Sequence, residues 1–385
     1  MTKAAMRDAG RGGARTRRRT QKRAQPGAAG PAARGADAAN SDVLPRPAAV
    51  ARPLLRWYLR CRRDLPWRCS RDPYRVWVSE VMLQQTQVDR VREYFERFIV
   101  RFPTVSELAA AREHDVLRLW EGLGYYRRAR QLHAAAKRVV ADHGGRLPTT
   151  VAELRQLPGI GRYTAGAIAS IALGLSEPIV EANSRRVLAR LTGYDRPLDG
   201  TAGDGPIWEI AARLVPHKDA GLFNQALMDL GALVCTPERP RCDACPLASL
   251  CVARRSGRAE AIPVKTSGRR PQRVRELAAV IRRRGRVYLV QRAAGEWWEG
   301  LWDFPRLPAA PPASERRRLG TIAYTVTHHQ VSCTVIAVPP DGRAARSVTT
   351  KATGRWVAEA SLRRLALPSP ARRIAGLLGS ASAVW

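Results

Sequence analysis

Apolar side chains recur at three- and four-residue spacing through most of the stretch from Leu54 to about Ala261. Val91–Phe102, Val116–Trp120, Arg130–Val140 and Ile207–Val215 each carry this period and predict helices. Pro and Gly punctuation, as at Phe102-Pro103, Gly144-Gly145, Leu147-Pro148 and Pro158-Gly159, separates them. β-branched alternation is scarce here, so residues 51–261 read as an all-α domain. A polar Pro/Gly stretch over 262–275 reads as a linker, and beyond it the period changes. Leu277–Ile281, Val287–Gln291 and Val331–Val338 predict strands and Ala371–Leu378 a closing helix, making 276–385 a separate α+β domain. Residues 1–50 have almost no large apolar side chains, too little to offset ordering entropy, and with eleven Lys and Arg against three Asp and Glu they read as a disordered basic tail.

Charge adds a partner class. The 385 residues carry 66 Lys and Arg against 33 Asp and Glu, a net charge of +33, which points to a polyanion, most simply nucleic acid. Sixty of those cations are Arg, a bias that Ala/Arg-rich coding alone can produce. The chain has no apolar run long enough to span a bilayer and no apolar signal-peptide core, so a cytoplasmic protein with no membrane partner is expected, nucleoid-associated in a bacterium; a monomer is the expected state. Seven cysteines are too few for a disulfide scaffold, and four of them fall within 17 positions.

Those four, Cys235-x6-Cys242-x2-Cys245-x5-Cys251, can close around one metal centre. Zinc usually pairs two knuckles across a longer gap; one compact loop suits a 4Fe–4S cube, with zinc the other reading. A second signal is Leu157-Pro158-Gly159-Ile160-Gly161-Arg162-Tyr163. A helix ends before Pro158, Gly159 and Gly161 make a tight hairpin, and a new helix begins near Tyr163. Backbone N–H groups there can hold a phosphate without reading a base.

A helix–hairpin–helix over 154–170 followed by a cysteine loop over 235–251 resembles the helix-hairpin-helix DNA glycosylase superfamily. Leu65-Pro66-Trp67-Arg68, Ser79–Val88, Gly122-Leu123-Gly124-Tyr125-Tyr126, Phe223–Ala226 and Met228–Gly231 are similar to its adenine-specific MutY branch. The resemblance implies an all-α glycosylase domain with one 4Fe–4S cluster on Cys235, Cys242, Cys245 and Cys251, followed by a Nudix-like domain. It implies double-stranded DNA as partner and hydrolytic removal of adenine opposite 8-oxoguanine or guanine, after the nucleotide is flipped out of the stack.

Roles follow by matching positions. Glu80, flanked by apolar Val81-Met82-Leu83, is the expected acid that protonates the departing adenine. Glu181 stands where the family carries Asp and is assigned to the sugar cation, with helix capping as its other reading; Asn183 could cap the next helix and orient the carboxylates. Tyr163 occupies the position where lyase relatives carry a Lys nucleophile. No Lys lies between Lys137 and Lys218, and Arg185 replaces another family Lys. A monofunctional glycosylase is therefore expected. Gln85 and Tyr125 match residues that enter the duplex. Trp67, Arg68, Asp204 and Gln225 match the adenine pocket. Val326-Thr327-His328 replaces a Phe-Ser-His loop, leaving Thr327 and His328 to probe 8-oxoguanine.

Three rivals stand beside this reading. A nucleotide pyrophosphohydrolase would need a Glu array on one helix, and residues 300–325 offer only Asp303 and Glu315. A noncatalytic mismatch-binding protein of the same fold is kept open by Glu181. A bifunctional endonuclease III-like glycosylase/lyase is the third.

Overall fold

The computed structural model describes residues 44–198, 200–264, 270–350 and 354–379. The tail expectation over 1–43 lies outside these residues. Its last positions depart from expectation: helix α1 (Pro47–Cys61) already begins there, with Val50 buried. Pro47 at the first helical position and an apolar stripe of Val50, Leu54 and Tyr58 explain the early start.

Two apolar cores divide the helical domain. Helices α2 (Pro73–Leu83), α3 (Val88–Arg101), α4 (Val105–Ala110), α5 (Glu113–Leu119) and α6 (Arg127–His143) surround one, built on Trp77, Phe95, Phe98 and Trp120. Helix α7 (Val151–Leu154), the Pro158-Gly159 turn and helix α8 (Arg162–Ala167) close it, with Leu157 and Ile160 buried. Gly159 sits at φ +76° and a Cβ there would lie 2.7 Å from Gln131 Cβ, so the hairpin requires glycine at this position. Gly161 has neither restriction, so the expectation that both glycines shape the turn holds only for the first. The second core joins α1 to α9 (Ala182–Thr192), α10 (Gly200–Leu214), α11 (Ala220–Leu233) and α12 (Val252–Arg255).

Strand β1 (Gln272–Arg283) begins inside the stretch read as linker. It pairs in parallel with β5 (His329–Val338) and antiparallel with β2 (Arg286–Gln291); β3 (Trp302–Asp303) extends the sheet to one side and β4 (Arg317–Val326) to the other. Helix α13 (Arg343–Thr349) precedes β6 (Gly354–Ala358), which pairs with β2, and α14 (Ser369–Gly379) packs its apolar face on this sheet's core. Strand β4 carries no clear period-2 alternation, because only Ile322 along it is buried.

The two domains share contacts. Leu301 and Ala366 are buried in the first helical core. Arg372 makes a two-point ion pair with Glu121, one bond at 2.8 Å, and Arg130 pairs with Glu299 at 3.4 Å.

Candidate active site

Helix α2 is buried on every side. Asp72 caps it by accepting from Tyr74 N at 2.9 Å, Pro73 fits its first turn, and of the nine residues from Tyr74 to Met82 all but Arg75 are buried. Such a helix strips water from any carboxylate it carries. Glu80 is 5 % exposed and lines a cavity of about 700 Å³. Burial pushes its carboxyl up to about 7, against a hydrogen bond donated by the Tyr163 hydroxyl and the nearby Arg68 charge; Glu181 adds to the rise. The rise lets this group keep a proton far closer to neutral pH than an ordinary carboxyl, the state a proton donor needs.

Tyr163 comes from the first turn of α8, just past the hairpin, and its own ionisation is pushed far up by burial and by Glu80. It is a phenol held neutral against the acid. Arg68 also lines the cavity, with its charge occupied: Nη1 and Nη2 donate to Asp229 at 2.7 and 3.0 Å. Arg63 Nε donates to the same carboxylate at 2.8 Å. Asp229 is fully buried on α11, where desolvation would raise it; the two guanidiniums hold it below the ordinary range. The sequence reading missed this anchor. A lone carboxylate within the apolar run of α11 is the signal that marks it.

Glu181 lines the cavity and also caps α9: Oε1 accepts from Ser184 N at 2.7 Å and Oε2 from Asn183 N at 2.8 Å. The capping reading of this residue is what the geometry shows, in a carboxylate that also lines the cavity. Asn183 is not the cap, contrary to expectation. It sits inside the first turn, donates from Nδ2 to Glu181 Oε2 at 3.2 Å and accepts from Arg186 at 2.9 Å. Gly231 permits this approach, since a Cβ there would lie 2.6 Å from Asn183 Cβ.

Trp67, Gln85, Gly159, Gly161 and Gln225 also line the cavity. Trp67 stacks edge-on against Phe95, and Gln225 accepts from the Tyr58 hydroxyl at 3.2 Å. Tyr125 stands outside it, 48 % exposed, on the loop between α5 and α6. Asp204 departs from expectation: it is absent from the cavity wall and pairs with Arg185 at 2.9 Å. An opposite charge four residues into α9 captures it before it can face a base. Thr327 and His328 form the two-residue turn joining β4 to β5 in the second domain; the His328 and His329 rings are 4.0 Å apart, and Trp297 lies 5.1 Å from His329.

Cys235, Cys242, Cys245 and Cys251 line one small cavity together with Arg190, Arg241 and Arg254. Arg190 Nη1 donates to Cys235 Sγ at 3.3 Å. Among the described residues no group of three His, Cys, Asp or Glu side chains converges as a single-ion site. Four thiols around a shared space, with cations at its rim, fit an anionic multi-atom cluster held by thiolates.

Residues 78–220 match the HhH-GPD superfamily of base excision DNA repair proteins, and residues 277–376 match the NUDIX domain. An adenine DNA glycosylase of Homo sapiens is 34% identical over 83% of this chain and 72% of its own length. One from Mycolicibacterium smegmatis is 44% identical over 57% of this chain and 73% of its own. Among solved structures, a thermostable thymine-DNA glycosylase superposes with a TM-score of 0.50 at 29% identity, covering 55% of this chain and 97% of that one.

Proposed function

This chain belongs to the adenine DNA glycosylases, and on that premise we propose that it removes adenine paired with 8-oxoguanine or guanine, using Glu80 as the acid. It is a DNA N-glycosylase of base excision repair. The observation that carries the mechanistic reading is a buried carboxyl, pushed up to about 7, on the wall of a cavity.

The reaction breaks the bond between a ring nitrogen of adenine and C1′ of the sugar. The bonding pair leaves with the base, and Glu80 delivers a proton to an adenine ring nitrogen. Tyr163 occupies Oε2 of Glu80, so the proton resides on Oε1. Positive charge grows on the sugar as the bond lengthens, and the Glu181 carboxylate, locked by the first turn of α9, opposes it. Water then adds to C1′, and the proton it loses restores Glu80. Trp67, Arg68 and Gln225 hold the everted base. Gln85 fills the emptied stack and Tyr125 wedges beside the opposing base. Thr327 and His328 probe the 8-oxoguanine.

Among the described residues no lysine lines the cavity: Tyr163 stands there as a phenol, and Arg185 is paired with Asp204. Hydrolysis without strand cleavage follows. The cysteine loop would hold a 4Fe–4S cluster, whose contribution is to fold Arg239, Arg241, Arg254 and Arg255 into a phosphate-binding surface. The Gly159–Gly161 hairpin holds a further phosphate through its backbone.

Single-turnover excision from a duplex with adenine opposite 8-oxoguanine tests this. The wild type should release adenine, Glu80→Gln should release none, and borohydride should trap no covalent complex. Binding without release by the wild type would favour a noncatalytic mismatch binder.

A further inference from the structure

Two turns far apart in the chain rest on one buried guanidinium. Arg128 lies in the first turn of α6 and is 8 % exposed. Its Nη1 donates to the carbonyl oxygens of Val81 at 2.7 Å, Met82 at 3.0 Å and Gln84. These include terminal carbonyls of α2, which have no partner within the helix. Its Nη2 donates to Thr86 Oγ1 at 3.1 Å and to Gly124 O at 3.3 Å. The contacts therefore bracket Gln85 on both sides and reach the residue before Tyr125, whose ring centre is 5.5 Å from the guanidinium carbon. Burial draws Arg128 down to about 10, which leaves it charged at neutral pH.

Gln85 and Tyr125 both adopt left-handed backbone, at φ 55° and 47°. Non-glycine residues there each cost about 1 kcal/mol or more, so both turns need an external restraint. Arg128 supplies it to both at once, its planar fork of several N–H groups reaching both segments.

We propose that Arg128 is a positioning residue that presets the spacing of Gln85 and Tyr125, so that both enter the duplex as one rigid wedge. The proposal rests on the reading that those two side chains enter DNA. Holding them in place before contact removes an ordering cost from base eversion, while leaving the acid and the phosphate contacts untouched.

The test follows eversion by the fluorescence of 2-aminopurine set in place of the target adenine opposite 8-oxoguanine. Affinity for a fully matched duplex and thermal stability are measured alongside. Arg128→Met should slow eversion about 10- to 100-fold, the range expected for loss of preset geometry, with matched-duplex affinity within about twofold. Arg128→Lys, which keeps the charge and some donors, should recover part of the rate; it also carries the comparison if the Met variant does not fold. Wild-type eversion in the Met variant overturns the proposal. So do equal losses in eversion and matched-duplex affinity without recovery by Lys. Gln85→Ala and Tyr125→Ala separate the premise: if both evert normally, the wedge assignment itself is wrong, whatever Arg128 does.

Discussion

Replacing Glu80 by Gln should abolish adenine release and at the same time make the folded protein more stable above neutral pH. The carboxyl ionises at 4.5 in an ordinary setting and at about 7 in the fold, because burial on α2 outweighs the help from Tyr163 and Arg68. A raised value means the folded state holds its proton more tightly than the unfolded state. The resulting stability is fully present below 4.5 and is lost as pH rises through 7. Each pH unit between those limits is worth about 1.4 kcal/mol, which sums to about 3 kcal/mol. Gln resembles the protonated acid in shape and cannot ionise, so its advantage over the wild type should grow across this window and level off above it. About 2 kcal/mol of that growth falls between pH 5.5 and 7. Paired unfolding curves for wild type and Glu80→Gln at half-unit pH steps read the difference directly. Single-turnover release by the wild type, measured over the same range, should fall as pH passes about 7 because the acid form disappears. A stability difference that stays flat from pH 5.5 to 8 would refute the argument that burial creates the proton donor.

Other perturbations separate the remaining parts of the site. Glu181→Asp keeps a good cap for α9 and moves the carboxylate by one methylene; stability should change by less than about 0.5 kcal/mol while release accelerates about tenfold, read by single-turnover kinetics. Asp229→Asn leaves Arg63 and Arg68 beside a neutral amide, and should cost about 3 kcal/mol in denaturant unfolding. With its counter-charge gone, Arg68 should also draw Glu80 downward and shift the fall in release rate to lower pH. Cys242→Ser should lose the brown chromophore and duplex affinity together, by absorbance and anisotropy; full affinity without colour would disconnect the cysteine loop from DNA binding.

Much of this molecule is determined locally. Helical period, Pro-Gly punctuation and the tight cysteine spacing are properties of neighbouring residues, so the all-α domain, the hairpin and the four-thiol loop could be read from the chain alone. The burial of Glu80 was legible for the same reason, since the apolar residues beside it imply a buried helix face, whereas its role as the acid came from the family motif around it. What escaped the sequence depends on partners distant along the chain. Asp229 meets Arg63 and Arg68 across more than 160 positions, and Arg128 reaches back over forty to the end of α2. Asp204, which matches a pocket position in sequence, is held instead by Arg185. Strand β4, half exposed, takes its identity from the hydrogen bonds of β5 and not from its own alternation. Chain-local patterns specify which elements form and which residue types they carry. Whether a charge becomes an acid, a cap or an anchor is decided by the desolvation and counter-charges that only packing supplies.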